Sequence, residues 1–389
     1  MSSNTHVRDP LYGYIELSDS ERTVLDQPQV QRLRRVRQLG FSSLIYPGAT
    51  HTRFEHSLGV MHLAGQFAKS LDMDDSYVAE VRMAGLLHDT GHGPFSHASE
   101  LLLDGEGKTH ESISCEIVDE LSDVLPAAPE RVKAHITGDA DVNIVAGTID
   151  ADRMDYLRRD SASTGIEHGT IDTPTIIQYA DTEDGQLVFD EKSVQALEGL
   201  LTARAHMIKS VYYHHASTIA ETMLLRALED FVDREGVPPQ ELMRFDDYEM
   251  HNHLLGSSGD ARWFYERLAD RELYKRSITL GEDALPRSAL RYLEETVDAH
   301  EVETAIAEEA GLDTRYVLVN APKTPSNDSL EALIRMDDGT LHPIADVSAI
   351  PTALREVEWR AASLDVYAPP EHVEAVRDAA KPVVQSLVG

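Results

Sequence analysis

A mainly α-helical fold, with a large helical core and a smaller C-terminal α+β lobe, is what the sequence predicts. Apolar residues recur at helical spacing through most of the chain, as at Leu58, Met61, Phe67 and Leu71. Helix-start signals precede several such stretches, among them Ser18 with Glu21 three residues on, and Thr109. Short strand-like runs gather late, at 316–319, 332–336 and 364–367, with Asp338-Gly339 as a hairpin turn after the second. At 389 residues the chain can bury a substantial core in two lobes, placed at 1–300 and 301–389.

In chain order, residues 11–17 read as extended, and the Ser18/Glu21 capping box opens a short helix. Pro28 suits a first helical turn, and a second helix runs from it to Gly40. Arg32, Arg34, Arg35 and Arg37 make this helix the densest basic patch in the chain. A solvated face with acidic neighbours is the default for such a run; a phosphate or subunit contact is the sharper reading. His51-Thr52-Arg53-Phe54-Glu55-His56-Ser57-Leu58-Gly59 opens an amphipathic helix, with Arg53 and His56 on the same side. Residues 78–87 form a mostly buried helix that Gly91 and Gly93-Pro94 break. Thr109 caps a helix through Leu121 with His110 in its first turn, and Asp141 opens a helix carrying residues 149–160. On that helix Asp152, Tyr156 and Asp160 share one face, while Asp155 and Arg159 read as an i,i+4 salt bridge. Asp184-Gly185 before Leu187-Val188-Phe189 marks a hairpin over the entrance. One long helical region, from Ser193 to about Arg234, places Arg204 and Tyr212 two turns apart. Residues 263–279 continue as helix then strand, 290–310 as an acidic helix, 321–329 as a loop and 371–387 as a closing helix.

Charge restricts the partners. There are 68 acidic against 35 basic residues, a net charge of −33, and only 8 of the basic residues are Lys. Such a surface suits high salt, where the Debye length falls to about 3 Å at 1 M, or a low-salt protein that repels nucleic acid. Either way the charge disfavours non-specific duplex binding, and a small polyanionic substrate needs local Arg, metal ions or both. The single cysteine, Cys115, rules out an intramolecular disulfide and fits a reducing cytoplasm. The start is polar (Ser2, Ser3, Asn4) and no apolar run approaches ~18 residues, so neither a signal peptide nor a membrane span is expected.

The chemistry concentrates in Leu86-Leu87-His88-Asp89-Thr90-Gly91-His92-Gly93-Pro94-Phe95-Ser96-His97, with three His and one Asp inside ten residues. A buried carboxylate beside a buried imidazole is costly without compensation. A divalent metal compensates both, because it takes neutral imidazole nitrogen and carboxylate oxygen directly. An Asp bonded at a helix end beside a packed His97 is the plainer reading, and the density of histidines argues for the metal.

The order Arg53-x-x-His56, His88-Asp89, Asp152 resembles the HD-domain metal phosphohydrolases. More narrowly, Gln31-Arg32-Leu33-Arg34, Gln38-Leu39-Gly40, Tyr46-Pro47-Gly48-Ala49, Arg53-Phe54-Glu55-His56-Ser57-Leu58-Gly59, the long His-Asp string and Asp150-x-Asp152-Arg153-x-Asp155-Tyr156 are similar to the deoxynucleoside triphosphate triphosphohydrolases of that superfamily. The resemblance runs from about Asp9 to Tyr212 and more loosely to the end. It implies an HD-domain helical core and hydrolysis of deoxynucleoside triphosphates to nucleoside and inorganic triphosphate. Other HD-domain phosphohydrolases, acting on nucleoside monophosphates or cyclic dinucleotides, and a non-catalytic nucleotide sensor are the alternatives.

The resemblance also implies roles. One divalent metal (Fe, Mn, Ni, Zn or Mg) would sit on His56, His88, Asp89 and Asp152, with a Mg-nucleotide as substrate. His92 and His97 would lie against the scissile group, Glu100 orienting one of them, and His110 would donate a proton to the leaving 5′-oxygen. Arg53, Arg153 and Arg204 would neutralise the phosphates. Gln38 and Leu39 would meet the sugar, and Tyr156, Asp160 and Tyr212 the 3′-hydroxyl side. Arg153 stands where some relatives carry Lys, and Ile208 where some carry His. A homo-oligomer, dimer or tetramer, activated by GTP or dGTP at Asp26, Gln31 and Arg34, completes what the resemblance implies. The plainer reading of that trio is that Asp26 caps the helix at Pro28 and Arg34 is solvated.

Overall fold

The computed structural model describes residues 5–103, 107–168, 170–325 and 331–388. Polar residues 2–4 and the last part of the expected 321–329 loop lie outside them. The mainly α architecture is as expected: nineteen α-helices against nine short strands among the described residues. None of these helices is long and apolar enough to cross a membrane. The chain forms two compact units, one of residues 1–207, 238–250 and 327–351, the other of 208–237, 251–326 and 352–389.

The first unit is built around the helix Arg53–Ser70. Glu55 starts it, accepting the Thr52 backbone N–H at 2.9 Å as the acid of a capping box. Met61, Leu63 and Phe67 are then fully buried, each contributing about 1.5–3 kcal/mol. Leu86 and Leu87 of the helix Asp75–Leu87 are equally buried, and so are Met154 and Leu157 of the helix Ala151–Thr164. An N-terminal hairpin pairs Thr5–Asp9 with Gly13–Leu17. A four-stranded sheet joins the hairpin Ala180–Glu183/Gln186–Asp190 to Leu333–Arg335, in parallel, and Leu341–Pro343.

Four expected helix limits are corrected. The helix at Pro28 ends at Arg32 and passes through a 3-10 turn, Leu33–Arg35, instead of reaching Gly40. Residues 36–38 are drawn off it: Val36 accepts from Arg53 N–H at 2.9 Å, and Gln38 N–H donates to His51 at 3.1 Å. The helix expected from Asp141 starts at Ala151, because the Asp150 carboxylate caps it, accepting from Arg153 N–H at 2.7 Å and Gly147 N–H at 2.8 Å. The region 193–234 is Val194–Met207, a π-helical turn Ile208–Tyr212 and a new helix His215–Glu235. Residues 290–310 divide into Arg287–Thr296 and Ala299–Ala310, with Asp298 capping the second.

In the second unit an antiparallel sheet places Leu364–Ala368 between Lys275–Leu280 and Leu318–Asn320. Its core is apolar, with Ile306, Leu364, Val366 and Val376 completely buried. One buried ion pair crosses it, Arg226 to Glu303 at 2.7 Å, and Glu303 also accepts Val319 N–H at 2.8 Å.

Candidate metal centre and active site

Three helix ends meet in the first unit. The first turn of Arg53–Ser70 brings Arg53 and His56; Asp75–Leu87 stops at Leu87, leaving His88 as its cap and Asp89 just beyond; the first turn of Ala151–Thr164 brings Asp152. His56 Nε2 lies 2.9 Å from Asp152 Oδ1 and 3.6 Å from Asp89 Oδ2, and His88 Nε2 lies 3.6 and 3.3 Å from the same two carboxylates. Donor atoms of His56, His88 and Asp152 all fall within 4.8 Å of one another.

The donor set fits a divalent metal. His88 Nδ1 faces the Gly85 carbonyl at 2.9 Å, a contact that only an N–H makes. Nε2 therefore carries the lone pair, is buried, and has no hydrogen-bond partner. It points at carboxylate oxygens, which are acceptors too, so a second ring proton or a cation must lie between them, and a divalent metal suits all of these donors at once. His56 is arranged in the same way, with Nδ1 2.8 Å from Asp155. Burial alone would lower the His56 pKa, but Asp152, Asp155 and Asp89 raise it to about 10. The site attracts a positive charge, and a metal on Nε2 would displace the proton.

Asp155, which the sequence reading placed only in a salt bridge, stands directly behind His56. It pairs with Arg159 as expected, at 2.9 Å through each of two bonds, and it is fully buried. Arg159 is anchored in turn on Asp9 at 3.0 Å, so a chain of charges runs from the N-terminal hairpin to His56. A Cβ at Gly59 would lie 1.8 Å from Asp155 Oδ1, which is why that turn of the helix carries glycine. The signal available in sequence was the second nitrogen of His56, since a metal-binding imidazole needs a partner there.

Beside this cluster stand Glu100 and three further histidines. Glu100 holds both outer histidines, His97 Nδ1 at 3.2 Å and His110 Nδ1 at 2.5 Å, where one had been expected. His92 stacks on His110 with centroids 3.9 Å apart and lies 3.4 Å from Asp89. Burial, then the Arg53 cation, keep His92 well below the usual imidazole range, so it is neutral. Burial acts the same way on His110, but the Glu100 carboxylate outweighs it and raises that pKa. His97 is largely exposed, His110 only partly. Burial would raise the Asp89 carboxyl, yet Arg53 and the neighbouring histidines hold it well below its ordinary value.

The turn carrying these groups is strained and clamped. Phe95 and Ser96 both have φ of +59°, a region few non-glycine residues adopt. Phe95 N–H donates to Asp247 at 2.7 Å, and Ser96 Oγ donates to the Arg37 carbonyl at 2.6 Å while accepting from Arg53 Nε at 2.8 Å. Arg32 corrects the solvated reading of the basic patch: it is buried and donates to the carbonyls of Thr90, His92 and Phe245, each at 2.7 Å. Arg35 pairs with Asp246. At Gly91 a Cβ would meet the His110 carbonyl at 2.0 Å, so glycine lets the turn approach the helix His110–Glu120.

The remaining expected contacts lie as follows. Arg53 is buried and committed to Asp89 at 2.7 Å and His97 at 3.3 Å. Arg153 hydrogen-bonds the Thr148 carbonyl and the Tyr156 hydroxyl, and Tyr156 also feels the Arg204 charge. Asp160 is buried against His51 at 2.8 Å, a partner not foreseen. Gln38 is buried and its Oε1 has no hydrogen-bond partner, beside half-buried Leu39. Tyr212 belongs to the second unit, at the end of the π turn. Asp26 is exposed and ends the helix Asp19–Leu25; the cap of the Pro28 helix is Gln27, so the capping reading of Asp26 is wrong. Arg34 donates to Gln31 Oε1 at 2.8 Å and lies 3.6 Å over the Phe54 ring.

Comparison with known proteins agrees with this geometry. Residues 53–160 match the HD domain and residues 171–386 the HD associated region. An uncharacterized protein of Methanocaldococcus jannaschii is 32% identical over 379 residues, covering 96% of this chain and 81% of that one. The deoxynucleoside triphosphate triphosphohydrolase SAMHD1 homolog of Dictyostelium discoideum is 32% identical over 260 residues, 59% of this chain and 49% of that one. A crystal structure of a phosphohydrolase from Bacteroides thetaiotaomicron superimposes with a TM-score of 0.75 at 26% identity, covering 94% of this chain and 99% of that one. The chain belongs to the HD-domain phosphohydrolase family, with an HD domain followed by the HD associated region.

Proposed function

We propose that the protein hydrolyses deoxynucleoside triphosphates to deoxynucleoside and inorganic triphosphate. The observation that carries this is the pairing of the cluster His56, His88 and Asp152, with Asp89 against both histidines, and the Glu100-held histidines beside it. Similarity to the triphosphohydrolase of Dictyostelium supports the substrate, although the chain spans only 49% of that protein.

When bound, the metal supplies Lewis acidity at the α-phosphate, and the nucleotide brings its own Mg. Neutral His92 lies beside the cluster, while Glu100 raises the His110 pKa and favours its protonated form. As water adds to the α-phosphorus and the bond to the 5′-oxygen breaks, His110 gives that oxygen its proton and regains one from the water. Arg153 and Arg204 take the phosphate charge, Gln38 Oε1 accepts from the sugar side, and Tyr156, Asp160 and Tyr212 border the 3′-hydroxyl.

The same proposal includes a homo-oligomer activated by GTP or dGTP at Asp26, Gln31 and Arg34, through preference of the nucleotide for the active assembly. Each dNTP is incubated with Mn or Mg at low and high salt, with and without GTP, and the products are separated. Inorganic triphosphate is expected; pyrophosphate, phosphate or no turnover would leave another HD-domain reaction or a nucleotide sensor. Full activity without guanine nucleotide, unchanged in Arg34→Ala, removes the activator.

A further inference from the structure

A buried histidine–aspartate pair in the first unit takes no part in the metal cluster. His51 and Asp160 are 9% and 1% exposed, and His51 Nε2 lies 2.8 Å from Asp160 Oδ1. Asp160 stands two turns beyond Asp152 on the helix Ala151–Thr164, about 12 Å along its axis, too far to ligate the same ion. Burying a carboxylate and an imidazole is costly, and apolar side chains of the same size would serve packing better.

The pair fixes the state of the imidazole. Nε2 faces a carboxylate oxygen and therefore carries a hydrogen, so in the neutral ring the lone pair is left on Nδ1. That Nδ1 is buried and has no hydrogen-bond partner.

A second unpaired acceptor stands beside it. Gln38 is equally buried, and its Oε1 also has no partner. The two residues oppose each other next to the antiparallel bridge of Arg37 with Thr52, where Gln38 N–H donates to the His51 carbonyl at 3.1 Å and Arg53 N–H to the Val36 carbonyl at 2.9 Å. Opposed residues of such a bridge send their side chains to the same face, with Cβ atoms about 5 Å apart. Two uncharged acceptors on one face suit a neutral donor such as a hydroxyl group. His51 thereby joins Gln38 and Asp160, the two residues that the proposed function sets at the sugar, and this selects the 3′-hydroxyl of a deoxynucleotide over an amino group of its base.

We propose that His51 is the residue that reads the 3′-hydroxyl, its Nδ1 accepting that hydrogen beside Gln38 Oε1, with Asp160 behind it as a positioning residue. The inference rests on the deoxynucleotide reading of the site and sharpens it at one point: Asp160 reaches the hydroxyl through the imidazole.

The probes are two dATP analogues with CH2 in place of the 5′-oxygen, one carrying the 3′-hydroxyl and one lacking it. Their binding to the metal-loaded full chain is measured by titration calorimetry. Neither analogue can release nucleoside, so the result is independent of the products that dATP gives, and those products judge the hydrolytic reading alone. Wild type should hold the hydroxyl-bearing analogue roughly 10–100-fold more tightly. His51→Gln keeps an N–H for Asp160 but moves the acceptor, and should bring the two affinities to within about threefold by weakening only the hydroxyl-bearing analogue. His51→Phe, which removes the N–H as well, should do the same, with metal content unchanged in both variants. Equal affinities in wild type, or no binding of either analogue, overturn the proposal. So does a preference that survives both substitutions. Equal weakening of the two analogues would make His51 a structural residue only, which overturns it as well.

Discussion

Asp155→Asn tests whether the buried carboxylate behind His56 tunes the metal site. In the wild type Oδ2 accepts from both His56 Nδ1, at 2.8 Å, and Arg159 Nε, at 2.9 Å, while Oδ1 accepts from Arg159 at 2.9 Å. Asparagine keeps one oxygen. With its NH2 in place of Oδ2, both His56 Nδ1 and Arg159 Nε lose their acceptor; in place of Oδ1, one Arg159 N–H does. Loss of such a partner typically costs 10–100-fold in metal affinity, about 1.4–2.7 kcal/mol. Arg159 retains Asp9 at 3.0 Å, which keeps the variant folded. Asp155→Ala strips more from the buried guanidinium and should cost about 3–5 kcal/mol of stability. Metal-loaded wild type and Asp155→Asn are dialysed against graded chelator and their metal measured by elemental analysis, with urea unfolding run separately. An Asn variant that releases metal within twofold of the wild-type midpoint would refute the reasoning.

Three further outcomes follow from the same geometry. His88→Ala and Asp89→Ala should lose metal and activity together; unchanged metal content in both would remove the ligand assignment. His110→Ala should keep metal and nucleotide binding but turn over ~10²–10⁴-fold more slowly; near-normal turnover with collapsed affinity would make His110 a binding group. Burial raises the Asp247 carboxyl from 3.8 to about 6, although its bonds to Phe95 and Arg37 oppose this. The folded state thus keeps a proton that the unfolded chain releases, and this stability is present below about pH 4 and lost as pH rises through 6. Linkage makes the loss roughly 3 kcal/mol. The unfolding free energy of wild type relative to Asp247→Asn should fall by that order between pH 4 and 7, and a pH-independent difference would contradict it.

Local chemistry was legible in the sequence, and long-range partners were not. The capping residues Ser18 and Thr109 act on their own helices, so the sequence is enough to place them. The His-Asp string and its spacing from His56 and Asp152 likewise identified the groups that the structure brings together. Arg32 was read as solvated because its partners are main-chain carbonyls, one of them at Phe245, 213 residues away. The helix from Pro28 was drawn too long because residues 36–38 pair with 51–53, a tertiary demand that outweighs helix propensity. Asp155 and Arg159 do form the expected i,i+4 pair, but spacing alone does not tell a buried pair from a solvated one. The 193–234 region carries no proline to announce the break at the π turn.

Hydrolysis of dATP in ¹⁸O-labelled water tests the central claim most directly. If water attacks the α-phosphorus and His110 protonates the departing 5′-oxygen, the label appears in inorganic triphosphate and the deoxyadenosine is unlabelled. Label in the nucleoside, or in phosphate or pyrophosphate in place of triphosphate, would contradict the account.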